Sequence, residues 1–321
     1  MYLKIDYVEQ EDGISICRCY GYEDILVIPD EIDGKPVVEL YDHALALSGP
    51  AHKPEDIRQV IFHEEERGFA EERELAGEFL KEVYLPSYLK RIQNYAFYFC
   101  RNLHTLRFGG DLEEVGSGLF IWCKSLKYLL FENISRSSHG MEYILADITW
   151  EVETRWSFRD GAVMQLTFPE YYEESVENTP ARNIDTQWHG SGYKYRQCFR
   201  DKAMVLRYYD EIFTYAVGNE FPDTCIRIAM NRLRFPEQLS SEAKVQYEAY
   251  MKQHMDEVLK EKIRLEDLEA VRFLARSGLL GKEDTDKAVE LASGYQKAEL
   301  TSFLMDYRRQ HFKAVRKTFD L

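Results

Sequence analysis

The sequence predicts an α+β chain: a repeat solenoid at the N-terminus, a β-rich connector, and an α-helical domain at the C-terminus. Three observations carry that reading. The phrase apolar-x-x-apolar-x-apolar recurs every 23 residues, at Ile57/Val60/Phe62, Leu80/Val83/Leu85, Leu103/Leu106/Phe108 and Leu126/Leu129/Phe131. A fixed period of about 20–50 residues marks a stack of repeats. Strand-like stretches around Arg159-Asp160-Gly161 follow, and beyond Phe199 apolar residues return at helical spacing. The expected boundaries are 1–136, 137–198 and 199–321.

Each unit reads as an anchor, a short strand, a turn, a second apolar pair, an aromatic residue and a cysteine. Leu89, Ile92, Ala96-Phe97 and Cys100 return one period later as Leu112, Val115, Leu119-Phe120 and Cys123. Pro86 closes its strand because it has no N–H to donate, and Gly109-Gly110 marks the same turn in the next unit. Side chains alternate along a strand, so Val83 and Leu85 face inward while Glu82 and Tyr84 face outward. Stacked units bury Val60/Phe62, Val83/Leu85, Leu106/Phe108 and Leu129/Phe131 together, and no unit covers its own apolar face. Two outward columns result: Gln59, Glu82, Thr105, Tyr128 and Ile61, Tyr84, Arg107, Leu130. The second column is unusually apolar and aromatic, which marks either an interaction site or a surface that the C-terminal domain covers. The candidate partner-binding residues are Ile61, Tyr84, Arg107 and Leu130, with Glu82 and Tyr128. Cys100 and Cys123 read as small buried apolar residues in an internal ladder.

The stretch Leu80-Lys-Glu-Val-Tyr-Leu-Pro-Ser-Tyr-Leu-Lys-Arg-Ile-Gln-Asn-Tyr-Ala-Phe-Tyr-Phe-Cys resembles BspA-type leucine-rich repeats of bacteria. So does Asp24-Ile-Leu-Val-Ile-Pro-Asp-Glu-Ile-Asp-Gly-Lys-Pro-Val-Val-Glu-Leu, which looks like the family's opening unit with its Gly-Lys-Pro turn. The resemblance spans roughly residues 10–135. It implies a leucine-rich-repeat solenoid and a non-enzymatic recognition or adhesion module, often at a cell surface. Residues 63–79 depart from it, replacing the strand-turn phrase with a charged, helix-prone segment.

Past the repeats, Tyr143–Glu153 and Ala162–Phe168 read as strands of a hairpin. Pro169–Tyr195, rich in polar and turn-forming residues, reads as loop. Pro222-Asp223 suits a first helical turn, and Pro236 stops the segment Thr224–Phe235. Val245, Tyr247, Met251, Met255, Val258 and Leu259 form an apolar stripe along a long helix, and Leu265, Leu268, Val271 and Leu274 continue on another, capped by Gly278. Thr285–Ser293 and Lys297–Arg309 form a pair broken at Gly294, which resembles an ankyrin-like helix pair.

Composition narrows the function. With 321 residues and a prior of about 150 per domain, two domains are expected. A net charge of −15 argues against nucleic acid, whose binding draws much of its strength from neutralised phosphates. Arg308, Arg309, Lys313, Arg316 and Lys317 read as a solvated helix end. Met1-Tyr2-Leu3-Lys4-Ile5-Asp6 opens no secretory apolar run, and no window is long and apolar enough to span a membrane. Six scattered cysteines then suggest reduced thiols in the cytoplasm, or the cell surface or exterior if a leader has been removed.

The search for chemistry yields neither catalytic nor metal-binding residues, and no cofactor. Cys17-Arg18-Cys19 lacks zinc-knuckle spacing, and the histidines (His43, His52, His63, His104, His139, His189, His254 and His311) are scattered. Glu64, Glu65, Glu66, Glu71, Glu72 and Glu74 read as a solvated helix face. Trp188–Arg196, with its glycines, aromatics and cations, is the most suggestive stretch, but it has no phosphate-loop spacing and reads as a packed loop. The sequence therefore points to a non-enzymatic protein–protein interaction module. The alternatives are an enzyme with its site in residues 141–200, around His189 and Lys194, and a bacterial surface adhesin.

Overall fold

A computed structural model describes residues 2–50, 54–63, 72–137, 140–178 and 183–312. The chain divides into two compact units, Met1–Glu220 and Phe221–Leu321. In the first, the hairpin β1 (Tyr2–Gln10) and β2 (Gly13–Gly21) leads into a first coil with β3 (Ile25–Val27), β4 (Glu31–Ile32) and β5 (Lys35–Leu40). An excursion holds β6 (Arg58–His63), β7 (Arg73–Glu74) and a 3-10 turn at Gly77–Phe79. The second coil carries β8 (Glu82–Tyr84) and β9 (Arg91–Ile92), and the third β10 (Thr105–Phe108) and β11 (Glu114–Val115). The fourth has β12 (Tyr128–Ile134) and α1 (Met141–Ala146), before the hairpin β13 (Val152–Phe158) and β14 (Val163–Phe168). Then come β15 (Tyr172–Asn178), β16 (Asn183–His189), α2 (Gly192–Arg196), β17 (Phe199–Arg200), β18 (Ala203–Met204), α3 (Leu206–Glu211) and α4 (Phe213–Asn219).

The coils form a β-solenoid. One side is the sheet β14-β13-β12-β10-β8-β3, parallel except between β13 and β14. Its register stacks Leu26, Val83, Leu106, Leu129 and Thr154 in one buried row, and Phe108, Phe131 and Trp156 in the next. The Phe108 and Phe131 rings lie 4.6 Å apart, nearly parallel. A second side joins β11-β9-β5-β2-β1-β6, in which β2, β5, β9 and β11 are parallel and β1 runs against both β2 and β6. On the third side, amides of one turn reach carbonyls of the next, as in Leu45 N–H to Ala96 O (2.9 Å) and Phe99 N–H to Ile121 O (3.0 Å). Phe97 and Phe120 stack beneath them at 5.5 Å. The Phe120 amide donates to the Asp147 carboxylate (2.9 Å) beside the last of these turns.

Three of the four predicted units stack as expected; the one at Ile57 does not. Residues 58–63 form β6, an edge strand antiparallel to β1, and Ile57 is 40% exposed. The place beside β8 belongs to β3, so Leu26 and not Val60 begins the buried row. The apolar spacing of an edge strand and of a coil strand is the same, and only the pairing partner differs. The charged segment expected to favour helix contributes β7 and the short 3-10 turn, with residues 64–71 outside the described part. Pairing of β12 with β13 carries the repeat sheet past residue 136, within the first compact unit.

The connector also differs from expectation. The hairpin turn at Arg159-Asp160-Gly161 is present. Met141–Ala146, however, is helical, burying Met141, Ile144 and Leu145 at helical spacing. Residues 172–178 and 183–189, expected to be loop, form the antiparallel ribbon β15–β16. At the far edge of the repeat sheet, the Tyr209 hydroxyl donates to Thr167 O (2.6 Å) and accepts from Thr167 N–H (3.1 Å). Those groups on β14 are thereby withheld from a further strand.

The second unit is helical: α5 (Pro222–Arg234), α6 (Ser241–Gln253), α7 (Met255–Arg264), α8 (Leu268–Arg276), α9 (Lys282–Gly294) and α10 (Ala298–His311). Pro222 stands in the first turn of α5, and Gly278 takes φ +71° after α8 with the Leu279 amide closing onto Leu274 O. The expected long stripe is split at His254, and Val245 and Leu265 are exposed, so Tyr247, Met251, Met255, Val258 and Leu259 carry the core. The turn between α9 and α10 bends at Gln296 (φ +57°) rather than Gly294, matching Glu266 (φ +58°) between α7 and α8. In both turns the next amide closes the same ring, Asp267 N–H to Lys262 O and Lys297 N–H to Ala292 O, each 2.9 Å. Lys297 Nζ meets Glu266 at 2.8 Å and Lys287 Nζ meets Asp256 at 2.7 Å, linking one helix pair to the next.

Replacing Leu26 with Ala removes a coil residue and should cost about 2–5 kcal/mol in denaturant unfolding. Ile57→Ala should cost less than about 1 kcal/mol. Equal losses for the two would contradict the assignment of β3, and not β6, to the first coil.

Candidate functional site

The outward face of the repeat sheet brings together five of the six residues expected to bind a partner. Glu82 and Tyr84 stand on β8, Arg107 on β10, and Tyr128 and Leu130 on β12. Parallel register makes Ile25, Glu82, Thr105, Tyr128, Glu153 one row and Val27, Tyr84, Arg107, Leu130, Arg155 the next. Ile61 is not among them. It lies on β6 opposite Lys4, in the other sheet, and Val27 takes its place in the row. Neighbouring strands lie about 4.8 Å apart, so Tyr84 and Leu130 are about 10 Å from each other.

Local chemistry fixes these side chains. The Tyr84 hydroxyl donates to Glu82 Oε2 at 3.0 Å, and that carboxylate, with some burial, raises the phenol's pKa. The Arg107 guanidinium sits 5.4 Å from the Tyr84 ring centroid and pairs with Glu132. Tyr128 has the His104 ring at 5.0 Å and the Lys127 ammonium at 5.6 Å. Apolar area concentrates at the first-coil end, where Ile25 and Val27 are 43% and 44% exposed. The face thus offers two exposed β-branched residues, two tyrosines and two arginines on a backbone held by continuous parallel pairing. Ile25, Val27 and Arg155 were missed in the sequence. One signal was available for the first two: Leu26-Val27-Ile28-Pro29 repeats the pattern of Val83-Tyr84-Leu85-Pro86, each strand closed by proline.

The other chemically suggestive groups are engaged structurally. Glu39 is buried and accepts from Ser15 Oγ (2.7 Å), Gln10 Nε2 (2.8 Å), Arg91 Nε (2.8 Å) and Gln93 Nε2 (3.1 Å). Burial pushes its carboxyl up, but these donors, Arg91 first, hold it below the usual range. Arg91 also grips Asp12 through two nitrogens. Glu72 pairs with Tyr2 and Lys4, and Glu74 with Arg18; Glu64, Glu65, Glu66 and Glu71 lie outside the described residues. His189 stacks on Tyr172 at 4.6 Å and meets Glu174 at 3.0 Å, whereas the Lys194 ammonium lies over Tyr193 and Tyr215. Arg196 is buried, donating to the carbonyls of Leu145, Trp150, Pro169 and Gly192, and desolvation lowers its pKa to about 10. Arg308 and Arg309 pair with Asp286 and Asp306.

All six cysteines are buried. The Cys100 thiol donates to Leu45 O (3.2 Å) and that of Cys123 to Phe97 O (2.9 Å), so both join the third-side ladder. Burial pushes the Cys17 and Cys198 thiols up to about 12 and that of Cys100 well above its usual value. A raised thiol pKa removes the thiolate at neutral pH, and the thiolate is the reactive form.

Residues 73–143 match the family model for the BspA type leucine-rich repeat region, in six copies. That stretch contains the second and third coils and the start of the fourth, and the match stops before the C-terminal helices. No curated protein and no solved structure matches the chain. Among the described residues, no helix is long and apolar enough to cross a membrane.

At pH 8 the native protein should leave a disulfide reagent such as DTNB unreacted over minutes, with six thiols appearing in guanidinium. Rapid labelling of the folded chain would show that at least one thiol is activated.

Proposed function

We propose that this chain, with its BspA-type leucine-rich-repeat region, is a non-enzymatic protein-interaction module. Its recognition surface in this reading is the outward sheet face of Tyr84, Arg107, Leu130, Glu82 and Tyr128, extended by Ile25 and Val27. One observation carries it: apolar, aromatic and arginine side chains share one solvent-facing pair of rows on a rigid parallel sheet. Those residue types supply most of the energy at protein interfaces, and a backbone that is already ordered loses little entropy on binding. Tyr84, Arg107 and Glu82 hold one another through the contacts described above, so the anchors are arranged before a partner arrives. Leucine-rich repeats commonly serve as interaction modules, which supports the same reading.

Combining Tyr84→Ala with Arg107→Glu should abolish capture of the partner from native lysate. Both side chains lie on the outer face and the Arg107–Glu132 pair is solvent-accessible, so unfolding stability should fall by only about 1 kcal/mol. Partner recovery at the wild-type level, measured by quantitative mass spectrometry, would rule this face out.

A further inference from the structure

The ribbon β15–β16 pairs with no other strand among the described residues. Tyr172, Glu173, Glu174 and Ser175 on one strand, and Thr186, Gln187 and Trp188 on the other, are all exposed, so both faces meet solvent. A lone two-stranded ribbon is marginally stable in water and gains from a surface laid against it. Its foot is anchored by aromatic contacts: Trp188 stacks on Tyr193 at 5.6 Å and lies 5.8 Å from Tyr171.

One face of this ribbon has the chemistry of a cation site. Antiparallel register sets Glu173 directly opposite Trp188, and such pairs hold their Cβ atoms about 5 Å apart. Ser175 Oγ contacts both Glu173 (3.3 Å) and Thr186 (3.3 Å), which places all four side chains on that face. The chain's own cations already use the adjoining rings. Lys194 Nζ is 5.0 Å from the Tyr193 centroid and 4.6 Å from that of Tyr215, and the Arg196 guanidinium is 5.0 Å from Tyr171. Trp188 is 44% exposed. Glu173 is exposed on the same face and Glu170, just before the ribbon, is exposed too, neither with an ion-pair partner among the described residues, whereas Glu174 lies on the opposite face with His189. The whole chain carries −15, so the local and overall charge favour the same kind of ligand.

We propose that this face docks an arginine-bearing segment of a partner protein, with a guanidinium stacked on Trp188 and paired to Glu173. A planar guanidinium stacks on an indole while its edge bonds a carboxylate, which a lysine ammonium does less well. The site is separate from the strand face proposed above and does not depend on it.

Fluorescein-labelled hexa-arginine, titrated against the full chain in about 0.15 M salt, tests this by anisotropy. Saturable binding should weaken about fivefold or more in Trp188→Ala and in Glu173→Gln. It should persist in Trp188→Phe, in Glu113→Gln on the third coil, and in the Tyr84→Ala, Arg107→Glu double variant. Glu173→Gln is nearly isosteric, so its loss of binding cannot be ascribed to a collapsed ribbon, and circular dichroism checks the fold of each variant. Wild-type affinity in both Trp188→Ala and Glu173→Gln, or equal binding of hexa-glutamate, would overturn the proposal. So would self-association of the wild type in sedimentation that Trp188→Ala removes, since the occupant would then be a second copy.

Discussion

Every coil of this protein exposes an apolar strip that it cannot bury alone, and the strip of the next coil is what covers it. The row Leu26, Val83, Leu106, Leu129 exists only because four separate stretches lie in register. Burying such side chains contributes about 1.5–3 kcal/mol each, enough in sum to order short strands with little intrinsic preference to form. Inward positions are consumed by that requirement. Outward ones are released from it, and the repeat can vary them without disturbing the stack.

The same constraint explains what the sequence made legible. Leu80, Leu103 and Leu126 belong to consecutive coils, so uninterrupted spacing exposes them. Ile57 keeps the spacing by coincidence: β6 also needs alternating apolar residues, because it is an edge strand beside β1. The true first coil is displaced by the excursion that contains β6 and β7, and a fixed period cannot see across such an interruption. Its proline closure at Pro29, equivalent to Pro86, survives the displacement and is the better marker.

Elsewhere legibility followed burial. α5 was readable because Pro222 and Pro236 punctuate it. The ribbon at 172–178 and 183–189 was not, since its described side chains are exposed on both faces and leave no alternation to read. Met141–Ala146 carries a helical pattern at 141, 144 and 145 that its neighbouring strand-forming residues outweighed. On the strand face, Tyr84, Arg107 and Leu130 followed directly from alternation, whereas Val27 required knowing which segment pairs with β8. The Glu39–Arg91 network, spanning 52 residues of sequence, left no local trace at all.

The excursion also bears on how the solenoid assembles. Val83 and Leu106 are 23 positions apart, but Leu26 and Val83 are separated by 57. Closing the longer loop costs about 0.8 kcal/mol more by chain entropy alone, and its ends search a larger volume before they meet. Chain entropy alone therefore favours closure among the second, third and fourth coils over closure of the first onto the second. In a nascent chain β5 can already pair with β2, but the strand that carries Leu26 lacks its neighbour until the segment after Leu80 has emerged.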